Sequence, residues 1–237
     1  MSGTVLLALV ELGRLLFYDP RLSGNATQSC ASCHQQELAF TDGRARAVGS
    51  TGQAHDRSAM SLVNIRELKA LTWSNPSMTS LEKQALVPMF GDHPVELGAR
   101  REDVVRLLRT DPRYRERFPK AFPAVANPYT IANAAAAIAA FERTIVSTRS
   151  PYDRYYYGGD PGAVPEAVKR GEVVFFTEGL GGCFRCHAGK NFTDGDFHNT
   201  AIIQGQRRKP AVSVGRLSRR GYGLKLGGVA EACELAQ

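Results

Sequence analysis

Cys30-Ala31-Ser32-Cys33-His34 and Cys183-Phe184-Arg185-Cys186-His187 decide how this chain of 237 residues is read. Cys-x-x-Cys-His is the attachment pattern of c-type haem. Two thiols add across the two vinyl groups of one porphyrin edge. Two intervening residues let a single turn of chain present both sulfurs to that edge, and the adjoining His reaches the iron from the proximal side. A Cys-x-x-Cys pair can also be half of a zinc site or a redox dithiol. A zinc ribbon would set its pairs closer than Cys33 and Cys183, and a thioredoxin-like dithiol would follow a Val/Ile-rich strand, which neither pair does. Two of the five histidines stand directly behind a Cys-x-x-Cys, which favours haem at both places. The candidate cofactor-binding residues are therefore Cys30, Cys33, His34, Cys183, Cys186 and His187. His34 and His187 are the proximal iron ligands of two covalently attached haems.

The surroundings repeat as well. Gly13-Arg14-Leu15-Leu16-Phe17-Tyr18 precedes the first motif and Gly171-Glu172-Val173-Val174-Phe175-Phe176 the second. Phe40-Thr41-Asp42-Gly43 follows the first and Phe192-Thr193-Asp194-Gly195 the second. The unit is an apolar helix, a loop, the haem motif and an Asp-Gly turn, with the helix aromatics placed to pack on a porphyrin. Two copies predict two haem domains, residues 1–155 and residues 156–237, related by duplication.

Composition agrees with a globular chain: 43% hydrophobic and 22% charged residues. Apolar runs such as Val5 to Val10 are far below the ~18 residues of a membrane span, so no membrane insertion is expected. The start lacks the basic residues of a secretory signal. Net charge is +7, and five of those charges fall from Asn199 onward, where Arg is frequent and no helical pattern stands out. No aromatic ladder accompanies them, which argues against a nucleic-acid partner. Cys233 in this tail is read as incidental.

Periodicity predicts a helix from Val5 to Phe17, stopped by Asp19-Pro20. Thr79-Ser80-Leu81-Glu82 reads as a capping box opening a short helix that Pro88 ends. Val104, Leu107 and Leu108 mark another helix, stopping before Asp111-Pro112. Asn127-Pro128 reads as the cap of a helix running to about Val146, whose alanines suit either a flat haem or a bundle seam. Ser150-Pro151 to Gly162 is the expected linker, followed by a helix from about Pro165 to Phe176. The expected fold class is all-α with long loops and little or no sheet.

Glu11 to Gly24 (ELGRLLFYDPRLSG), Cys30 to Gly43 (CASCHQQELAFTDG), Leu71 to Gly98 and Phe197-His198-Asn199-Thr200 together resemble the bacterial di-haem cytochrome c peroxidase/MauG family. The resemblance covers roughly residues 8 to 200. Gly49 to Asn64 and Leu86 to Phe90 are most similar to the MauG-like di-haem enzymes of methanobactin-type gene clusters. The resemblance implies two cytochrome c-like domains with haems facing each other, the N-terminal one meeting hydrogen peroxide and the C-terminal one storing or relaying an electron. It implies a relay role for Trp73 and places Gln84, Pro88 and Glu96 on the peroxide side of the first haem. By residue chemistry alone, Trp73 would read as core, Gln84 as a plain helix residue and Glu96 as a solvated carboxylate. In an apolar pocket Glu96 could move a proton between peroxide oxygens, provided burial raises its pKa. A distal His position aligns with Ser50, a poor iron ligand, and His55 is the rival.

The tail departs from the family. No Met follows Met89 and the one Tyr beyond the second haem motif is Tyr222, so the usual sixth ligand of the second haem is missing and the C-terminal domain reads as incomplete. The interdomain calcium of the family is weakened by Ser58, where Asn is usual. The expected activity is oxidation with hydrogen peroxide. It uses either an aromatic residue of a partner protein or electrons from a small cytochrome or copper protein. The alternatives are a non-enzymatic di-haem electron carrier and an inactive truncated product. Covalent haem attachment implies a periplasmic address.

Overall fold

The protein is described by a computed structural model covering residues 2–198. The region beyond, with Tyr222 and Cys233, lies outside the described residues. Among the described residues there are helices and isolated β-bridges but no strand, as the all-α reading requires. The chain divides into two compact units between Ile145 and Val146.

In the first unit α1 (Gly3–Phe17) buries Leu9, Leu12, Leu16 and Phe17, a stripe at helical spacing. A one-turn helix, α2 (Cys30–Cys33), follows, then α3 (Leu81–Phe90), α4 (Arg101–Thr110), α5 (Pro112–Ala121) and α6 (Ile131–Glu142). The α6 alanines Ala134, Ala135, Ala137, Ala139 and Ala140 are all buried, and the helix packs on α1 and α3. They form a helix seam. Gly13 sits at its tightest point, where a Cβ would lie 1.9 Å from the Ala137 carbonyl oxygen.

Local chemistry corrects several expectations. Pro88 does not end α3. The helix continues to Phe90, because the Gly91 N–H still reaches the Val87 carbonyl at 2.8 Å. The cap is Ser80, not Thr79, and its hydroxyl oxygen accepts from the Lys83 N–H. The cap of α6 is Thr130, which accepts from the Asn133 N–H, and not Asn127; the helix stops at Glu142 rather than Val146. Asp111 closes α4 as expected and also caps α5, accepting from the Arg113 N–H at 2.8 Å.

The second unit begins with α7 (Pro151–Tyr156), inside the segment expected to be a linker. Ser150 and Asp153 cap each other reciprocally, which gives a short helix its start despite the glycines that follow. Its Tyr152 and Tyr155 hydroxyls donate to the two Glu172 carboxylate oxygens of α8 (Glu166–Phe176) at 2.8 and 2.9 Å. A 3-10 turn, Cys183–Arg185, follows.

Candidate haem centres

Each motif is built the same way. Cys30 and Cys33 begin and end one helical turn, and the His34 N–H closes on the Cys30 carbonyl at 3.0 Å. In the second unit the His187 N–H closes on the Cys183 carbonyl at 2.9 Å. His34 Nδ1 lies 2.9 Å from the Phe40 carbonyl oxygen and His187 Nδ1 lies 3.1 Å from that of Phe192. A carbonyl can only accept, so both rings carry their proton on Nδ1. The lone pair is left on Nε2, the nitrogen that faces iron in a ligated haem. Phe40 and Phe192 turn their carbonyls inward by adopting left-handed backbone, with φ of 56° and 50°. That conformation is uncommon for an aromatic residue and is held by the following turn. There Gly43 and Gly195 donate to the Thr41 and Thr193 hydroxyls at 3.3 and 3.0 Å.

The aromatic frame repeats too. Phe17 of α1 stands 6.4 Å from the His34 ring, and Phe175 of α8 stands 6.4 Å from the His187 ring. Both phenylalanines hold the same place in the repeated helical hexapeptide, and that place makes the same contact in both units.

These residues fit a haem. Burial, followed by the Asp42 charge, pushes the Cys33 thiol up to about 11, and burial raises Cys30 further. Such a pocket suits the neutral sulfur of a thioether. No described cysteine forms a disulfide. In the second unit α8 buries none of its own residues, and Val173, Val174, Phe176 and Leu180 expose apolar surface beside the motif. A porphyrin face is apolar and would cover such surface. Cys186, Asp194 and His198 also bring one ligand atom each within 4.8 Å of one another, with His198 Nε2 2.7 Å from an Asp194 oxygen. Haem attachment at this motif would commit the Cys186 sulfur and make this trio part of the haem surroundings.

The expected peroxide-side residues partly converge. The Pro88 carbonyl accepts from the Leu97 N–H at 2.9 Å, and the Glu96 carbonyl from the Ser50 N–H at 2.7 Å. The Ser50 hydroxyl donates to the Leu97 carbonyl at 3.1 Å. Gly49 lets the two segments touch, since a Cβ there would meet the Val95 oxygen at 1.9 Å. Glu96 is half-buried, and desolvation lifts its carboxyl to about 7. Its charge acts on both Cys30 and Cys33. Gln84 lies one turn before Pro88 on α3. His55 is half-buried, its pKa drawn down by burial, with Asp42 and Asp56 as charged neighbours. Trp73 lies elsewhere in this unit, its indole N–H donating to the Ser58 carbonyl at 2.8 Å.

The structure adds Glu142, which no sequence motif marks. It is 5% exposed at the end of α6, its Oε2 has no hydrogen-bond partner, and its charge acts on Cys30. Burial, partly offset by Arg143, lifts its carboxyl to about 8. Helical spacing leaves Phe141 and Glu142 as rivals for one face, and both are buried.

Residues 7–161 match the family profile of the di-haem cytochrome c peroxidases. The methylamine utilization protein MauG of Methylorubrum extorquens is 37% identical over 196 residues, covering 83% of this chain and 54% of that protein. A cytochrome-c peroxidase of Denitromonas iodatirespirans is 38% identical over 195 residues, covering 81% and 50%. Among solved structures, a MauG-like protein associated with microbial copper homeostasis superposes with a TM-score of 0.80 at 40% identity, covering 89% of this chain and 63% of that one. The chain thus spans about half the length of the curated relatives it matches. With both attachment turns built alike and the profile covering more than half of its residues, this chain belongs to the di-haem cytochrome c peroxidase family.

Proposed function

We propose that this chain carries two c-type haems, attached at Cys30/Cys33 with His34 and at Cys183/Cys186 with His187, and oxidises with hydrogen peroxide. The observation that carries the reading is the duplicated His–carbonyl clamp, which sets both Nε2 lone pairs for iron. When bound, the haems supply redox iron, peroxide activation at the first and electron storage at the second.

The chain's own residues have separable tasks. Glu96, with a carboxyl near 7, is protonated about as often as not at neutral pH and can both give and take a proton. The Ser50, Leu97 and Pro88 backbone contacts fix its stretch of chain against α3. Gln84 offers an amide on the same helix as Pro88 for orienting peroxide or water. Trp73, fixed by its hydrogen bond to Ser58, serves as the aromatic relay between the haems. Oxidising equivalents go to an aromatic side chain of a partner protein or draw electrons from a small cytochrome or copper protein. Haem attachment puts this chemistry in the periplasm, and among the described residues no helix is long and apolar enough to cross a membrane.

The test is stopped-flow mixing of haem-loaded protein with peroxide, monitored in the haem absorption. Fast oxidation in wild type, slowed about 10²–10⁴-fold in Glu96→Gln, is expected from the loss of general acid/base help. Equal rates in the two proteins would remove Glu96 from the mechanism, and no reaction in either would reduce the chain to an electron carrier.

A further inference from the structure

Glu142 has no account in the peroxide chemistry and none in stability. It is the one ionisable side chain of α6, a helix otherwise of Ile, Ala, Asn and Phe. A carboxylate is unfavourable there for three independent reasons. It is buried, its Oε2 has no partner, and it ends a helix whose C-terminus carries negative partial charge. A Leu would avoid all three, and a Gln would remove the charge.

The surroundings show where its proton is felt. From the attachment turn the Cys30 sulfur lies within its electrostatic reach. From α3 comes Glu82, held by Arg143 at 2.7 Å and by the Ser80 hydroxyl at 2.7 Å. Lys83 on α3 and Glu11 and Arg14 on α1 are exposed, and none of them acts on it. Arg143 is committed to Glu82, so among the described residues no cation is devoted to Glu142. The group that attachment through Cys30 would bring toward it is the haem.

We propose that Glu142 is the redox-linked proton acceptor of the first haem, a buried acid that binds a proton when that iron is reduced and releases it on oxidation. This rests on the attachment of haem at Cys30 and Cys33. The balance is one electron from the external donor to ferric iron and one proton from solvent to the Glu142 carboxylate. The reverse follows when peroxide, the terminal oxidant, withdraws the electron. The coupling is reciprocal. An added electron favours the protonated acid, and the protonated acid favours the reduced iron. Glu142 would therefore be a positioning residue for the electron, acting on the haem through its charge and not on peroxide directly.

Spectroelectrochemical titration of the haem-loaded full chain from pH 6 to 9 tests this. In wild type one of two one-electron waves should fall as pH rises. Glu142→Gln should flatten that wave over the alkaline half of the range and leave the other unchanged, whereas Glu96→Gln should leave the alkaline slope in place. A reduced-minus-oxidised infrared difference spectrum of wild type supplies a readout without any variant. It should gain a protonated-carboxyl C=O band. Unchanged pH slopes in Glu142→Gln, or no carboxyl band in wild type, overturn the proposal. A chain whose pyridine haemochrome spectrum shows no covalent haem overturns the attachment reading first and the proposal with it.

Discussion

At the scale of single residues, the carboxyls sort by surroundings. Glu82 is partly buried, yet Ser80 and Arg143 hold it below the usual carboxylate range. Glu142 has no such partners, and desolvation takes it to about 8 from an ordinary 4.5. The sign of its linkage follows. The folded pKa lies above the unfolded one, so the folded state binds the extra proton between about 4.5 and 8, and stability falls as pH rises through that window. In the haem-free chain Glu142→Gln should match wild type near pH 4 and exceed it increasingly up to about pH 8, with no further divergence beyond. A tenfold change in proton affinity is worth about 1.4 kcal/mol, so a gain of a few kcal/mol in urea unfolding at pH 8 is expected. A gap independent of pH would show that the carboxyl is not desolvated. The sequence could not announce this residue, because a Glu at a helix end looks solvated until the packing of α6 is known. The proposed haem-attachment residues are legible for the opposite reason: their chemistry is local, a five-residue pattern read without tertiary context.

At the scale of elements, the two apolar helices share a glycine in the repeat, Gly13 in α1 and Gly171 in α8, and use it differently. A Cβ on Gly13 would strike the Ala137 carbonyl oxygen and approach the Phe141 Cβ at 3.0 Å, and both belong to α6. Backbone cannot rotate aside, so α1 and α6 would have to separate. Gly13→Ala should destabilise by about 1–3 kcal/mol or more, as overpacking does. At Gly171 nothing lies within 4 Å of the added methyl. Gly171→Ala should stabilise by roughly 0.5–1 kcal/mol through helix propensity and a less flexible unfolded chain. Denaturant midpoints of the two variants, moving in opposite directions, check both. The existence of α1, α4, α6 and α8 is legible in the sequence, since apolar spacing survives without tertiary knowledge. Ends and breakers are less so. Pro88 forfeits one hydrogen bond to the Gln84 carbonyl, but the next turn is secured by Leu97 and Ala99 donating to Pro88 and Met89, a loop contact no local rule could foresee. The helix α7 is hidden for a similar reason. Its glycine-rich sequel suggests a linker, while its support comes from Glu172, far along the chain from Tyr152.

At the scale of the whole molecule, duplication predicts independence. The turn, the His clamp, the aromatic neighbour and the Thr–Gly hydrogen bond of each motif all fall within one unit, the first before Ile145 and the second after Val146. Nothing in either clamp borrows a residue from the other unit. Replacing Cys30 and Cys33 together by Ser should therefore leave the second attachment intact, and the converse should hold for Cys183 and Cys186. Haem per polypeptide, read from pyridine haemochrome absorbance against protein mass, should fall from two to one in each double variant and to none in the quadruple. The two halves are nevertheless unequal in packing. Cys30 is half-buried against a core that includes Phe17, Leu16 and Phe141, whereas Cys183 is exposed and α8 buries no residue of its own. Loss of the second haem would leave apolar surface on Val173, Val174, Phe176 and Leu180 with less to cover it. The Cys183/Cys186 variant should accordingly aggregate at lower concentration than the Cys30/Cys33 variant, visible by light scattering at equal protein. Equal haem loss with equal solubility would retain the duplication and refute the asymmetry between its copies.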